Sequence, residues 1–223
     1  MKLPYFAGRG LVCGTLLLGL NLAHADITMI SDASAFNAAI TSAGIETFFG
    51  VAQDAASSSP MYRRTQLGTT YTYQAQASTS SLLGAGTDDD SWLTANVATD
   101  VITFSNFSAG ITAFGGNFFG SDFNGQYAHG DVSLSVTDAS GATFTQTLTD
   151  ASPLSFLGFV SNGPQIVSVS LWSTPLPSGD SLWPTARQLV FGQSVSAVPE
   201  PASALLLVLG LGGLGLLARR RAA

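Results

Sequence analysis

From Val101 to Phe191 the chain runs in short segments that alternate apolar and hydroxyl side chains, and this period of two constrains the fold more than anything else in it. Val132-Ser133-Leu134-Ser135-Val136 is the plainest case. On a pleated strand such a run puts every apolar side chain on one face. Val101–Phe104, Ile111–Phe119, Thr143–Leu148, Leu154–Val160, Ile166–Trp172 and Gln188–Phe191 read as strands by alternation or by β-branched and aromatic content. Asp138-Ala139-Ser140-Gly141 supplies a hairpin turn, and Asn162-Gly163-Pro164 a second turn. Half-buried strands at this spacing predict two packed antiparallel sheets, a jelly-roll-like β-sandwich.

The earlier part is less regular. Ile27–Ile30 reads as a strand, and Ser31 or Asp32 caps a short N-terminal helix expected to reach about Ser42, with Phe36, Ala39, Ile40 and Ala43 on one face and Gly44 at its end. Extended chain is expected again over Glu46–Phe49, and a strand over Thr70–Tyr73. Residues 51–69 read as loop and 78–90 as turn-rich.

Both ends of the chain carry different signals. Lys2 and Arg9 precede an apolar stretch from Leu11 to Leu22, and Ala23-His24-Ala25 follows as a small-x-small cleavage site. Residues 1–25 therefore read as a signal peptide removed by signal peptidase after Ala25. The apolar stretch is too short for a mature membrane helix. Cys13, the only cysteine, lies inside it, so the mature chain is expected to be stabilised by its core without disulfides. At the other end, residues 202–218 form an uncharged Leu- and Gly-rich run, expected as a transmembrane helix of roughly 25 Å at about 1.5 Å per residue. Arg219, Arg220 and Arg221 follow directly and place that end on the cytoplasmic side, with the body outside.

Val198-Pro199-Glu200-Pro201, the apolar run and the arginine cluster, in that order, resemble the PEP-CTERM sorting signal. The resemblance covers residues 198–223 and implies an exosortase, a membrane transpeptidase-like cysteine enzyme, as processing partner. The two prolines hold the peptide extended and strip it of donors, and Glu200 marks the outer membrane boundary. Ala33-Ser34-Ala35-Phe36-Asn37, Ile111-Thr112-Ala113-Phe114-Gly115 and Phe156-Leu157-Gly158-Phe159 are similar to the β-sandwich bodies of such proteins. This organisation gives a sandwich over residues 26–192, a linker over 193–197 and the tail beyond.

The body between Asp26 and Val198 holds thirteen acidic side chains against Arg63, Arg64 and Arg187, a net charge of about −10 without a lysine. That balance argues against nucleic acid and against adhesion to anionic lipid, since both need clustered cations. His129 is the only histidine of the mature chain, which rules out a multi-histidine metal site. Tyr127, His129 and Asp131 alternate and share a face on an extended chain, yet no Gly-x-Ser-x-Gly elbow accompanies them. No cofactor is expected; the candidates for calcium are Asp88, Asp90 and Asp122, all of which ordinary turn chemistry also explains. Asp122 and Asn124 alternate before a glycine, and Trp183 lies in a Pro-rich segment expected to be exposed, which makes these three the candidate ligand contacts. Trp172 ends an alternating strand and reads as core. The expected function is that of a cell-surface or extracellular-matrix protein whose body is a non-catalytic binding or structural module for exopolysaccharide or biofilm matrix. The alternative is a secreted hydrolase of matrix glycans or esters, which requires converging carboxylates, or a serine with His129, in one cleft.

Overall fold

The computed structural model describes residues 27–51, 56–87, 89–176 and 179–195. Among them the chain forms fifteen strands and one short helix, with every strand pair antiparallel, in two facing sheets. The signal peptide, with Ala23 and Ala25, and the tail, with its transmembrane segment 202–218, lie outside the described residues. No helix among the described residues is long and apolar enough to cross a membrane.

The larger sheet is organised by β9 (Ala113–Ser121) and β15 (Trp183–Ser194), which pair along their length. On one side of them lie β13 (Phe156–Ser161) and then β1 (Ile27–Ile30); on the other lie β2 (Ile40–Glu46) and the two-residue β4 (Leu67–Gly68). At the Trp183 end, β10 (Tyr127–Ala128) joins β9, and the hairpin of β6 (Leu82–Gly86) and β7 (Ser91–Ala95) joins β15. The smaller sheet runs β12 (Thr143–Leu148), β11 (Val132–Asp138), β14 (Ile166–Ser173), β8 (Ile102–Ser105), β5 (Thr72–Ala77) and β3 (Met61–Arg64).

The period of two does what it predicts. Val132, Leu134 and Val136 are buried, while Ser135 and Thr137 face outward and pair with Thr145 and Thr143 by hydroxyl bonds of 3.0 Å each. The interior is aromatic at its centre. Phe191 stands edge-on to Phe114 at 5.3 Å and lies 5.0 Å from Tyr73, and Phe104 packs on Phe114 at 5.6 Å. These rings come from both sheets, so their contact is the seam of the sandwich.

The helix is shorter than expected. Asp32 caps α1 (Ala33–Ala38) by accepting the Ala35 N–H at 2.7 Å, as foreseen, but the helix stops at Ala39. Ile40–Glu46 is strand instead, because it satisfies its backbone against β15, with Ile40 opposite Ser194 and Glu46 opposite Leu189. The helix lies on the outer face of the larger sheet, where Phe36 is buried with Ala113, Val160 and Val190. Its ring occupies the space over Gly115 and Gly158, which are opposite each other in the ladder.

Three further expectations are corrected. Residues 51–69 are not all loop, since β3 and β4 form there as the edges of the two sheets. The turn-rich reading of 78–90 misses β6, whose glycines look like turn residues but pair with β7, Gly84 opposite Leu93 and Gly86 opposite Ser91. The expected linker at 193–197 begins inside β15, where Gln193 pairs with Thr41.

A polar clamp joins the sheets at their β2–β3 side. Glu46, fully buried, accepts Arg63 Nη2 at 2.8 Å and the Phe48 N–H at 2.7 Å on Oε1; its Oε2 accepts the Tyr73 hydroxyl at 2.9 Å and Arg63 Nε at 3.3 Å. Phe48, itself buried, has the left-handed backbone that non-glycine residues seldom adopt (φ 59°), and the bond from its N–H to Glu46 holds it there.

Candidate functional site: a cleft at the start of the longest strand

The turn between β9 and β10 is built by one side chain. Asp122 Oδ1 accepts the N–H groups of Asn124 and Gln126, both at 2.9 Å, and Gly125 takes the positive φ (70°) that closes the turn. The turn lifts Phe123 out of the surface, where it is 83% exposed. Opposite Ser121 on the neighbouring strand stands Trp183, whose ring meets Phe123 edge-on at 6.0 Å. Between this turn and the β6–β7 hairpin lies a cleft of about 200 Å³. Asn96, Asp122, Asn124 and Gln126 supply carboxylate and amide groups to its wall, and Thr94 a hydroxyl. Thr94 is tied down from beneath: its hydroxyl donates to the Pro184 carbonyl at 3.0 Å, and Thr185 links it to Ser121.

Trp183, Asp122 and Asn124 are therefore neighbours around one cleft, although about sixty residues separate the turn from the tryptophan. Trp183 is not on an exposed Pro-rich loop. It is half-buried as the first residue of β15, and Pro184 follows it opposite Gly120, a position near the strand's end where a proline is accommodated. Trp172 is likewise not a core residue: its neighbour Leu171 points inward, so Trp172 lies half-buried on the outer face opposite Ser133. Phe123 escaped the sequence reading, yet a large aromatic inside an Asp-x-Asn-Gly turn is a legible signal, since turns seldom spend one.

The other candidates are engaged elsewhere. Asp90 holds Arg187 Nε at 2.6 Å. Asp88 lies outside the described residues. Among the described residues no group of three or more His, Asp or Glu side chains is arranged to hold a metal ion. His129 is on the outer surface with its side chain 77% exposed, and its Nδ1 lies 2.8 Å from Asp150 and 3.1 Å from the Tyr127 hydroxyl. Its carboxylate neighbour is thus Asp150; Asp131 instead accepts the Asp150 N–H at 2.9 Å. Burial, with the Asp150 charge adding to it, raises the Tyr127 phenol above its ordinary range.

Residues 197–221 match the PEP-CTERM protein-sorting motif. The chain thus carries a PEP-CTERM sorting motif behind a β body. The match takes in Val198, Pro199, Glu200 and Pro201, the apolar run and Arg219, Arg220 and Arg221, all of which lie outside the described residues. The motif implies an exosortase as processing partner and signals sorting to the cell exterior. No curated protein and no solved structure matches the chain.

The cleft lies at the first residue of β15, and the described chain ends just beyond the last, where Ser194 donates its N–H to Thr112 Oγ1 at 2.7 Å and Val195 to the Ala39 carbonyl at 3.0 Å. Twelve strand residues at about 3.3 Å each put the two ends of β15 roughly 36 Å apart.

Proposed function

We propose that the body of this PEP-CTERM protein is a non-catalytic module that binds extracellular polysaccharide at the cell surface or in a biofilm matrix, through the Phe123–Trp183 cleft. The observation that carries the reading is Phe123, almost wholly exposed beside Trp183 and above a wall of carboxylate and amide groups. An exposed ring accepts the apolar face of a sugar, and Asp and Asn side chains bond its hydroxyls. A cleft of about 200 Å³ suits one sugar unit of a longer chain. The cleft lies a strand's length from Ser194, near the end of the described chain.

The non-catalytic part of the proposal is supported by where the acids and the histidine sit. Glu46 is sealed between the sheets with four donors on its two oxygens, and His129 projects from the surface rather than into the cleft. The test is a glycan array and polysaccharide pull-down with the full-length chain in detergent, with and without calcium. Phe123→Ala and Trp183→Ala are each expected to weaken binding about tenfold, which is about 1.4 kcal/mol. Absence of binding to any glycan, or binding that neither substitution alters, would leave the body a purely structural role.

A further inference from the structure

Among the described residues the fold leaves one cation of the body, Arg64, without a partner. Arg63 is held inside by Glu46, and Arg187 holds Asp90; Arg64 makes no ion pair or hydrogen bond among the described residues. It comes from β3, the edge of the smaller sheet, where Met61 and Arg63 point inward and Tyr62 and Arg64 outward. Register sets Tyr62 opposite Gln74 and Arg64 opposite Thr72. Tyr62 is 75% exposed, an unusual waste of apolar area for an aromatic on a sheet face. Tyr62 and Arg64 line a shallow hollow of about 510 Å³, together with Arg63, Thr72, Tyr73 and Asn106. Asn106 has a fixed orientation, with a left-handed backbone (φ 51°) and its amide donating to Gln74 Oε1 at 2.7 Å.

No carboxylate lines this hollow among the described residues. Glu46, the acid that Arg63 binds, is buried and already neutralised by it. Continuing across the outer face, the positions next to Gln74 are Ser105 and then Ser168, both uncharged. On a body of about −10, this is a patch where an anion meets attraction instead of repulsion. The groups present define the anion further. A guanidinium pairs with a carboxylate through two parallel N–H donors, an exposed phenol ring offers a stacking face to a sugar, and a hydroxyl and an amide bond ring oxygens.

We propose that the Tyr62–Arg64 hollow is a second saccharide site, and that it takes a uronate unit of an acidic polysaccharide. Arg64 binds the uronate carboxylate, and Tyr62 stacks on the sugar ring. The net charge of the rest of the body confines an anionic chain to this edge. The inference rests on the polysaccharide reading above but uses a different surface, so the two are separable.

The experiment is fluorescence anisotropy of labelled uronate oligomers, with neutral glucan oligomers as controls, titrated with the full-length chain in detergent. Uronate oligomers are expected to bind, and Arg64→Gln and Tyr62→Ala each to weaken that binding at least tenfold. Arg64→Lys, which keeps the charge but loses the two-donor fork, is expected to fall between. Raising salt from about 50 to about 500 mM is expected to weaken wild-type binding several-fold, because the pair is exposed. Phe123→Ala is expected to leave uronate binding unchanged. The inference is overturned if uronate oligomers do not bind, or if they bind equally to Arg64→Gln. It is also overturned if the wild-type chain self-associates through this edge and Arg64→Gln abolishes self-association without touching uronate binding, since the occupant is then a second copy. Binding of neutral glycan that depends on Phe123, with no uronate binding, sinks this site and leaves the cleft standing.

Discussion

Glu46→Gln tests whether the buried clamp holds the two sheets together. The substitution is nearly isosteric, so it removes a charge without opening a cavity. In the native protein burial pulls the Arg63 guanidinium down, but the hydrogen bonds and charge of Glu46 outweigh that and raise its pKa above the ordinary value. Without the carboxylate, Arg63 keeps its burial and loses its counter-charge. Its side chain is only 16% exposed, so water compensates little. Removing one partner of a buried pair costs about 3–5 kcal/mol, a large part of the roughly 5–15 kcal/mol that holds a typical domain folded. The carboxamide also has to present its NH2 to Arg63 or to the Tyr73 hydroxyl. For a domain of this size 1 kcal/mol moves Tm by about 2–4 °C, so a fall of roughly 10 °C is expected. Thermal unfolding followed by circular dichroism measures it. The double variant Glu46→Gln, Arg63→Met is expected to recover part of the loss, since removing both charges removes the uncompensated one. A Tm within about 2 °C of wild type for the single variant, or no coupling in the double-mutant cycle, would refute the reasoning.

Other predictions follow from single features of the structure. Burial pushes the Asp100 carboxyl up, but hydrogen bonds from Ser80, Thr79 and Ser78 outweigh it and hold the group below the usual carboxylate range. A lowered folded pKa stabilises the protein above the unfolded value of about 3.9, and that stability is lost as pH falls through the folded pKa. Denaturant titrations at neutral pH should show Asp100→Asn destabilised by about 1–3 kcal/mol, with the difference from wild type shrinking in strong acid. Gly158→Ala puts a methyl group into the Phe36 ring, and an overpacking cost of about 1–3 kcal/mol is expected by the same titration. Replacing Pro199, Glu200 and Pro201 together by alanine should leave the anchored precursor unprocessed in the native host, read by immunoblot of membrane and released fractions.

The strands that the sequence announces are those whose two faces meet different surroundings. β11 and β12 have core on one face and water on the other, so their alternation is clean. β6 and β7 carry Gly84, Gly86 and Ser91 at positions where pairing and close approach favour small side chains, and small residues look like turns. β2 was hidden for another reason: Ile40 and Ala43 satisfy a helical spacing as readily as a strand, and only the partner β15 chooses between them. The candidate site was legible residue by residue at Asp122, Asn124 and Trp183, but not as a site.

What the local sequence settles by itself is whatever depends on neighbours along the chain. The period of two dictates sheets, Asp32 dictates where the helix starts, Asp122 and Gly125 dictate a turn, and residues 197–221 carry the sorting motif. Tertiary structure decides everything that requires distant segments to meet. It brings Trp183 to Phe123, sets Arg63 on Glu46 while leaving Arg64 unpaired among the described residues, and puts the cleft at the start of β15, away from Ser194 at its end. The physical reason is that a turn or cap is satisfied within a few residues, whereas a sheet's ladder takes its partners from elsewhere in the chain, and those pairings alone determine which side chains share a surface.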